Sequence, residues 1–79
     1  MRLDKYLKVS RLIKRRTVAN EACDAGRVMI NDRPAKASAD VKAGDKIIIS
    51  FGNKDVSVEV LSVQETVRKE EAKEMFRYL

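Results

Sequence analysis

The sequence predicts an α+β domain made of two short helices, a small antiparallel sheet and a C-terminal helix. Three observations predict it. Apolar residues recur at helical spacing up to Ala25, the period changes to extended after Gly26, and Val56, Val58 and Val60 alternate with Ser57 and Glu59.

Leu3, Tyr6 and Leu7 share one helical face, and Asp4 near the start suits the helix dipole, so residues 3–9 read as a two-turn amphipathic helix. Ser10 to Arg16 breaks the pattern as a connector whose Leu12 and Ile13 are expected to tuck into the core. Thr17 is the expected N-cap of a second helix, although Asn20 stands where a capping box has Glu or Gln. Val18, Ala19, Ala22, Cys23 and Ala25 then form an inward stripe of mostly small residues, and Gly26 stands where a left-handed C-terminal cap belongs.

Arg27 to Ile30 is rich in strand formers, and Asn31-Asp32-Arg33-Pro34 reads as a turn in which Pro34 bars a central strand. Turn-forming residues over 37–45 lead into a buried strand, Lys46 to Phe51. Gly52-Asn53-Lys54 closes a hairpin onto the Val-lined return strand, which runs to about residue 63. Residues 66–79 are helical in composition, with Ala72, Met75, Phe76 and Leu79 on one face. With no repeat, low-complexity stretch or linker, residues 1–79 are expected to form a single domain.

A chain of 79 residues buries only about 60% of its unfolded surface, which favours a binding surface over a deep catalytic cavity. It has no His and one Cys, Cys23, so one chain alone offers no zinc site, Cys-His nucleophile or His acid/base pair, and no cofactor is expected. Cys23, in its small-residue stripe, reads as an inert buried side chain. The first twenty residues carry frequent cations and no long apolar run, so neither a signal peptide nor a membrane span is expected, and the expected location is the cytoplasm.

The net charge of +5 is unevenly placed. Up to Lys36 there are ten cations against four acids, and from Ala37 onward seven against eight. A one-sided basic field suits a polyanion. Arg11, Lys14, Arg15 and Arg16 crowd the start of the second helix with no acid between them, where the dipole disfavours cations by about 0.3–1 kcal/mol each. A phosphate there would meet guanidinium forks and free helix N–H groups together. Arg2, Lys5 and Lys8 can extend the same face, although for an isolated Lys5 or Lys8 a plain solvated role is the commoner one. Tyr6 could stack on a base, but its spacing to Leu3 favours the core.

The residues Arg2-Leu3-Asp4-Lys5-Tyr6-Leu7, Arg16-Thr17-x-Ala19, Gly26-Arg27-Val28-x-Ile30-Asn31, Lys36 and Gly44-Asp45, in this order and spacing, resemble the RNA-binding domain named after small-subunit ribosomal protein four. The resemblance covers about residues 2–50 and implies the αL-type RNA-binding fold. Within that superfamily the wording RLDKYLKVSRLIKRRTVANEA is similar to the short RqcP-type branch, related to heat-shock protein fifteen. Asn31-Asp32 departs from the usual Asn-Gly of the superfamily, and a long basic tail like that of the heat-shock branch is not expected.

The resemblance implies a non-catalytic factor that binds an obstructed large ribosomal subunit through ribosomal RNA and peptidyl-site tRNA. It also implies work beside an RqcH-type factor that adds alanine tails to the stalled chain. Carried over by motif, Arg2 and Arg16 are the first expected RNA contacts, with Lys5, Arg11, Lys14, Arg15 and Lys36 in support. The protein is expected to be a monomer. Alternatives are a recycling factor of the heat-shock-protein-fifteen type, an RNA-binding accessory of an RNA-modifying enzyme, and a DNA-binding helix-turn-helix. The last fits poorly with a second helix whose Val18, Ala19 and Ala22 are expected to face inward.

Overall fold

The computed structural model describes all 79 residues. Their order is α1 (Leu3–Val9), α2 (Arg16–Asp24), β1 (Val28–Ile30), β2 (Arg33–Pro34), β3 (Lys46–Ser50), β4 (Asp55–Val60), α3 (Lys69–Ala72) and β5 (Phe76–Tyr78). The strands form one antiparallel sheet in the order β2-β1-β3-β4-β5. No helix is long and apolar enough to cross a membrane.

Strand alternation decides which face is covered. Val28, Ile47, Ile49, Val58, Val60 and Phe76 point inward and are buried with Leu3, Tyr6 and Leu7 of α1 and Ala19 and Cys23 of α2. Ile13 is buried and Leu12 packs at the core edge, so the connector is anchored as its two apolar residues imply. Ala19 and Cys23 let α2 lie close to α1, but Val18 is exposed at 48% and Ala25 is also exposed, contrary to the inward stripe expected for them. Val18 lies off the narrow Ala19–Cys23 line that meets α1, because a nine-residue helix turns only part of its surface to one neighbour, and Ala25 is the cap residue beyond the helix end.

Thr17 is not the N-cap. α2 begins one residue earlier, at Arg16, with Arg15 extended in the cap position and no side-chain acceptor there. Arg16, the first residue of the helix, places its guanidinium on Asp4 of α1. At the other end α2 closes as the sequence leads one to expect. Gly26, at φ 79°, lets its own N–H donate to the Cys23 carbonyl and the Arg27 N–H donate to the Ala22 carbonyl, both at 3.0 Å.

Asn31 and Asp32 both take positive φ, 52° and 67°, so β1 and β2 are joined by a two-residue turn of the type usually built on Asn-Gly. The Asn31 side chain secures it by accepting from the Lys46 N–H at 3.0 Å and donating to Asp45 at 3.1 Å. β2, which contains Pro34, lies at the sheet edge, where a missing N–H costs no ladder bond.

The C-terminal helix expected over 66–79 is confined to the single turn Lys69–Ala72, and Phe76–Tyr78 is a strand. Ala72, Met75 and Phe76 are buried as their spacing suggests, but Leu79 is exposed. The reason is the open edge of β4. Val58 and Val60 pair with Tyr78 and Phe76, so backbone hydrogen bonds and a buried aromatic ring outweigh helical composition. The Met75 carbonyl fixes the change of direction by accepting from the Leu61 N–H at 2.7 Å, the Ser62 N–H at 3.2 Å and the Tyr6 hydroxyl at 2.8 Å. Tyr6 is therefore a core residue.

Gly26→Ala is expected to lower stability by about 1 kcal/mol in urea denaturation, purely through the left-handed backbone, because no atom lies within 4 Å of the added methyl position.

Candidate nucleic-acid interface

The first helix carries an acid on its apolar side. Asp4 stands next to Leu3 and three residues before Leu7, so winding α1 buries it, and it is 2% exposed. Its carboxylate accepts from the Lys5 N–H at 2.8 Å, Arg2 Nε at 3.1 Å and Asn20 Nδ2 at 3.2 Å. Arg16 adds Nε at 3.4 Å and Nη2 at 3.5 Å. Burial pushes the Asp4 pKa upward, but the hydrogen bonds from Arg2, Asn20, Arg16 and the Lys5 N–H overcome it and hold the pKa down at about 2. The helix-start role assigned from sequence is thus only part of what Asp4 does.

Arg2 and Arg16 remain half-exposed, at 50% and 48% of their side chains, although each touches Asp4. One buried carboxylate therefore orients two guanidinium groups while leaving much of each open to a second anion. It also supplies, inside the chain, part of the compensation that cations at a helix start require. The N–H groups of Arg16, Thr17 and Val18 have no acceptor within the chain.

Beside this pair, Lys5, Lys8, Arg11 and Arg16 line a groove of about 360 Å³ whose opposite wall is the segment carrying Glu65, Thr66 and Val67. Lys5 is paired with Glu65 across it. Arg11 holds its place with a left-handed backbone, φ 65°, at the point where α1 ends, and its N–H donates to the Lys8 carbonyl at 3.1 Å. Of the residues singled out in the sequence, Lys5, Lys8, Arg11 and Arg16 thus share one groove, and Arg2 joins Arg16 through Asp4. Lys14 and Arg15 are exposed on the connector next to it, outside the groove. Lys36 is exposed in a separate loop whose next residue, Ala37, donates its N–H to Asp24 at 3.2 Å.

Sequence reasoning missed Asn20 and Glu65 as parts of this region and undervalued Asp4. A carboxylate on the apolar side of a helix was the available signal for Asp4. Nothing local marks Asn20 or Glu65, because both reach their partners only through the tertiary fold. Cys23 is buried and its thiol is pushed up to about 11 by that burial, so it is not a thiolate at neutral pH.

The Asp4 pKa is lowered from 3.8 to about 2, so its contribution to stability is complete above about pH 4 and is lost as the pH falls toward 2. Asp4→Asn is expected to cost about 1–3 kcal/mol at pH 7 and to show a smaller loss across that acid window when urea midpoints are compared with the parent.

Comparison with known proteins supplies the family. The family model for the S4 domain matches residues 1–47. The RQC P-site tRNA stabilizing factor of Halalkalibacterium halodurans is 59% identical over 76 residues, covering 96% of this chain and 86% of that protein. Its counterpart in Bacillus subtilis is 57% identical, covering 100% of this chain and 92% of that protein. Among solved structures, trimeric heat shock protein 15 of Vibrio cholerae superposes with a TM-score of 0.92 at 29% identity, covering 100% of this chain and 81% of that one. An S4 match over most of the first fifty residues, with relatives this similar along nearly the whole chain, means that the protein belongs to the S4 domain family, in its RqcP-type branch related to heat shock protein 15.

Proposed function

We propose that this protein is a non-catalytic RNA-binding factor of ribosome-associated quality control. It binds the obstructed large ribosomal subunit through ribosomal RNA and peptidyl-site tRNA and supports alanine tailing of the stalled chain by an RqcH-type factor on the same particle. In this reading it acts as a cytoplasmic monomer, with residues of about 2–50 as the RNA-binding module. The observation that carries the reading is the pair of half-exposed guanidinium groups, Arg2 and Arg16, aimed by one buried carboxylate beside the groove of Lys5, Lys8 and Arg11. The relatives called RQC P-site tRNA stabilizing factors supply the biological context.

Structured RNA presents a wide, shallow minor groove and is recognised through shape, phosphates and 2′-hydroxyls. A compact body, 28 × 25 × 23 Å, with preset arginine forks suits that task without bond chemistry. Arg2 and Arg16 are the proposed first contacts. Lys5, Arg11, Lys14 and Arg15 add phosphate contacts around them, and Lys36 reaches the RNA from its own loop. The factor would hold tRNA and subunit in one geometry while its partner delivers charged tRNA.

The second reading is a recycling role of the heat-shock-protein-15 type, favoured by the structural likeness to that protein. Pull-down from translating cells separates the two. Free large subunits carrying peptidyl-tRNA together with a tailing factor support the proposal, and large subunits without that factor favour recycling. Intact ribosomes or no RNA would count against both.

With about four phosphates neutralised, the slope of log affinity against log salt is expected to be roughly −3 to −4. Arg16→Ala is expected to weaken binding to large subunits about tenfold while changing stability by less than about 1 kcal/mol, since its ion pair is half-exposed and Asp4 keeps three other donors. Co-sedimentation over a salt series and urea denaturation check the two halves. Unfolding as severe as a core truncation would remove Arg16 from the interface.

A further inference from the structure

A second cleft, of about 450 Å³, shares Arg11 with the groove described above. Arg11 forms one side and α3 the other, through Lys69, Glu70 and Lys73, over the buried Ala72 and Phe76. In sequence this region looks neutral, because Arg68, Lys69, Lys73 and Arg77 interleave with Glu70, Glu71 and Glu74. Folding sorts these charges. Glu71 turns back to accept from the Arg68 N–H at 3.3 Å, and Arg77 is engaged by Glu59 of β4 at 2.6 Å. Lys69 and Lys73, four residues apart and therefore on one side of the turn, line the cleft with Arg11. None of the three forms an ion pair within the chain, so the cleft presents three unpaired cations against the single acid Glu70.

The geometry points to this cleft as a second phosphate subsite, through which Arg11, Lys69 and Lys73 carry a bound RNA backbone from the first groove across α3. This rests on the proposed RNA-binding role of the first groove. The chemistry favours a phosphodiester over a base. Phe76 is only 8% exposed, so no ring face is available for stacking, and the cleft offers charge without a set of directed acceptors. The contact is therefore independent of nucleotide sequence. Arg11 belongs to both sites, and its left-handed backbone holds it at their junction.

The test compares Lys69→Ala/Lys73→Ala with a charge-matched pair, Lys46→Ala/Lys54→Ala. Lys46 points to the outer face of the sheet, opposite Glu59, and Lys54 lies in the β3–β4 hairpin loop. Binding of purified tRNA and of salt-washed large subunits is measured over a series of KCl concentrations. The α3 pair is expected to make the salt slope shallower by about 1.4 and to lower affinity about tenfold at low salt, from two cations at ~0.7 each. The control pair leaves the slope unchanged, and Lys69→Arg/Lys73→Arg retains binding, which separates loss of charge from misfolding. An unchanged slope in the α3 pair, or an equal loss in the control pair, overturns the subsite while Arg16→Ala still reports on the first groove. If Arg16→Ala also binds like the parent, the RNA-binding reading itself falls, and the subsite with it.

Discussion

A buried carboxylate is costly unless donors surround it, and Asp4 is surrounded from two helices and its own backbone. That requirement sets much of the geometry of the basic face. It fixes the side chain of Asn20 and holds Arg2 and Arg16 on one side of the molecule. The same carboxylate leaves half of each guanidinium surface open. Structural satisfaction and an exposed positive edge thus come from one arrangement, in which the guanidinium groups need little ordering before a second anion arrives.

The other organising constraint lies at the C-terminal end. A sheet of β1 to β4 alone would leave the Val58–Val60 edge unpaired, and the chain returns to cover it with Phe76–Tyr78. The Met75 carbonyl ties that return to β4 and, through the Tyr6 hydroxyl, to α1. Residues 65–67 are thereby brought against α1 and Lys69 and Lys73 against Arg11, which builds the far walls of both clefts. The basic face assigned from the first half of the sequence is completed by a segment that carries no net charge excess of its own.

The cluster Arg11 to Arg16 divides by role. Ile13 anchors the connector in the core, Arg11 closes α1 with a left-handed residue, and Arg16 starts α2 against Asp4. Lys14 and Arg15 stay exposed without an internal partner. The unfavourable meeting of cations with a helix start is eased inside the chain at Arg16 only.

Local physics was legible in the sequence wherever a residue's neighbours in the chain decide its state. The helical spacing of Leu3, Tyr6 and Leu7, the closure of α2 at Gly26, the turn at Asn31-Asp32, the alternating valines and the segregation of charge into the first half all belong to that class. Tertiary structure alone decided the rest. Residues 76–78 became a strand because a distant edge needed hydrogen bonds, and Val18 faced outward because α2 meets α1 along only one line. Asn20 and Glu65 joined the basic face because Asp4 and Lys5 stand opposite them in space. Periodicity and capping act over a few residues, whereas desolvation, edge pairing and ion pairing depend on which groups folding brings within about 3 Å of one another, and no local window of sequence contains that information.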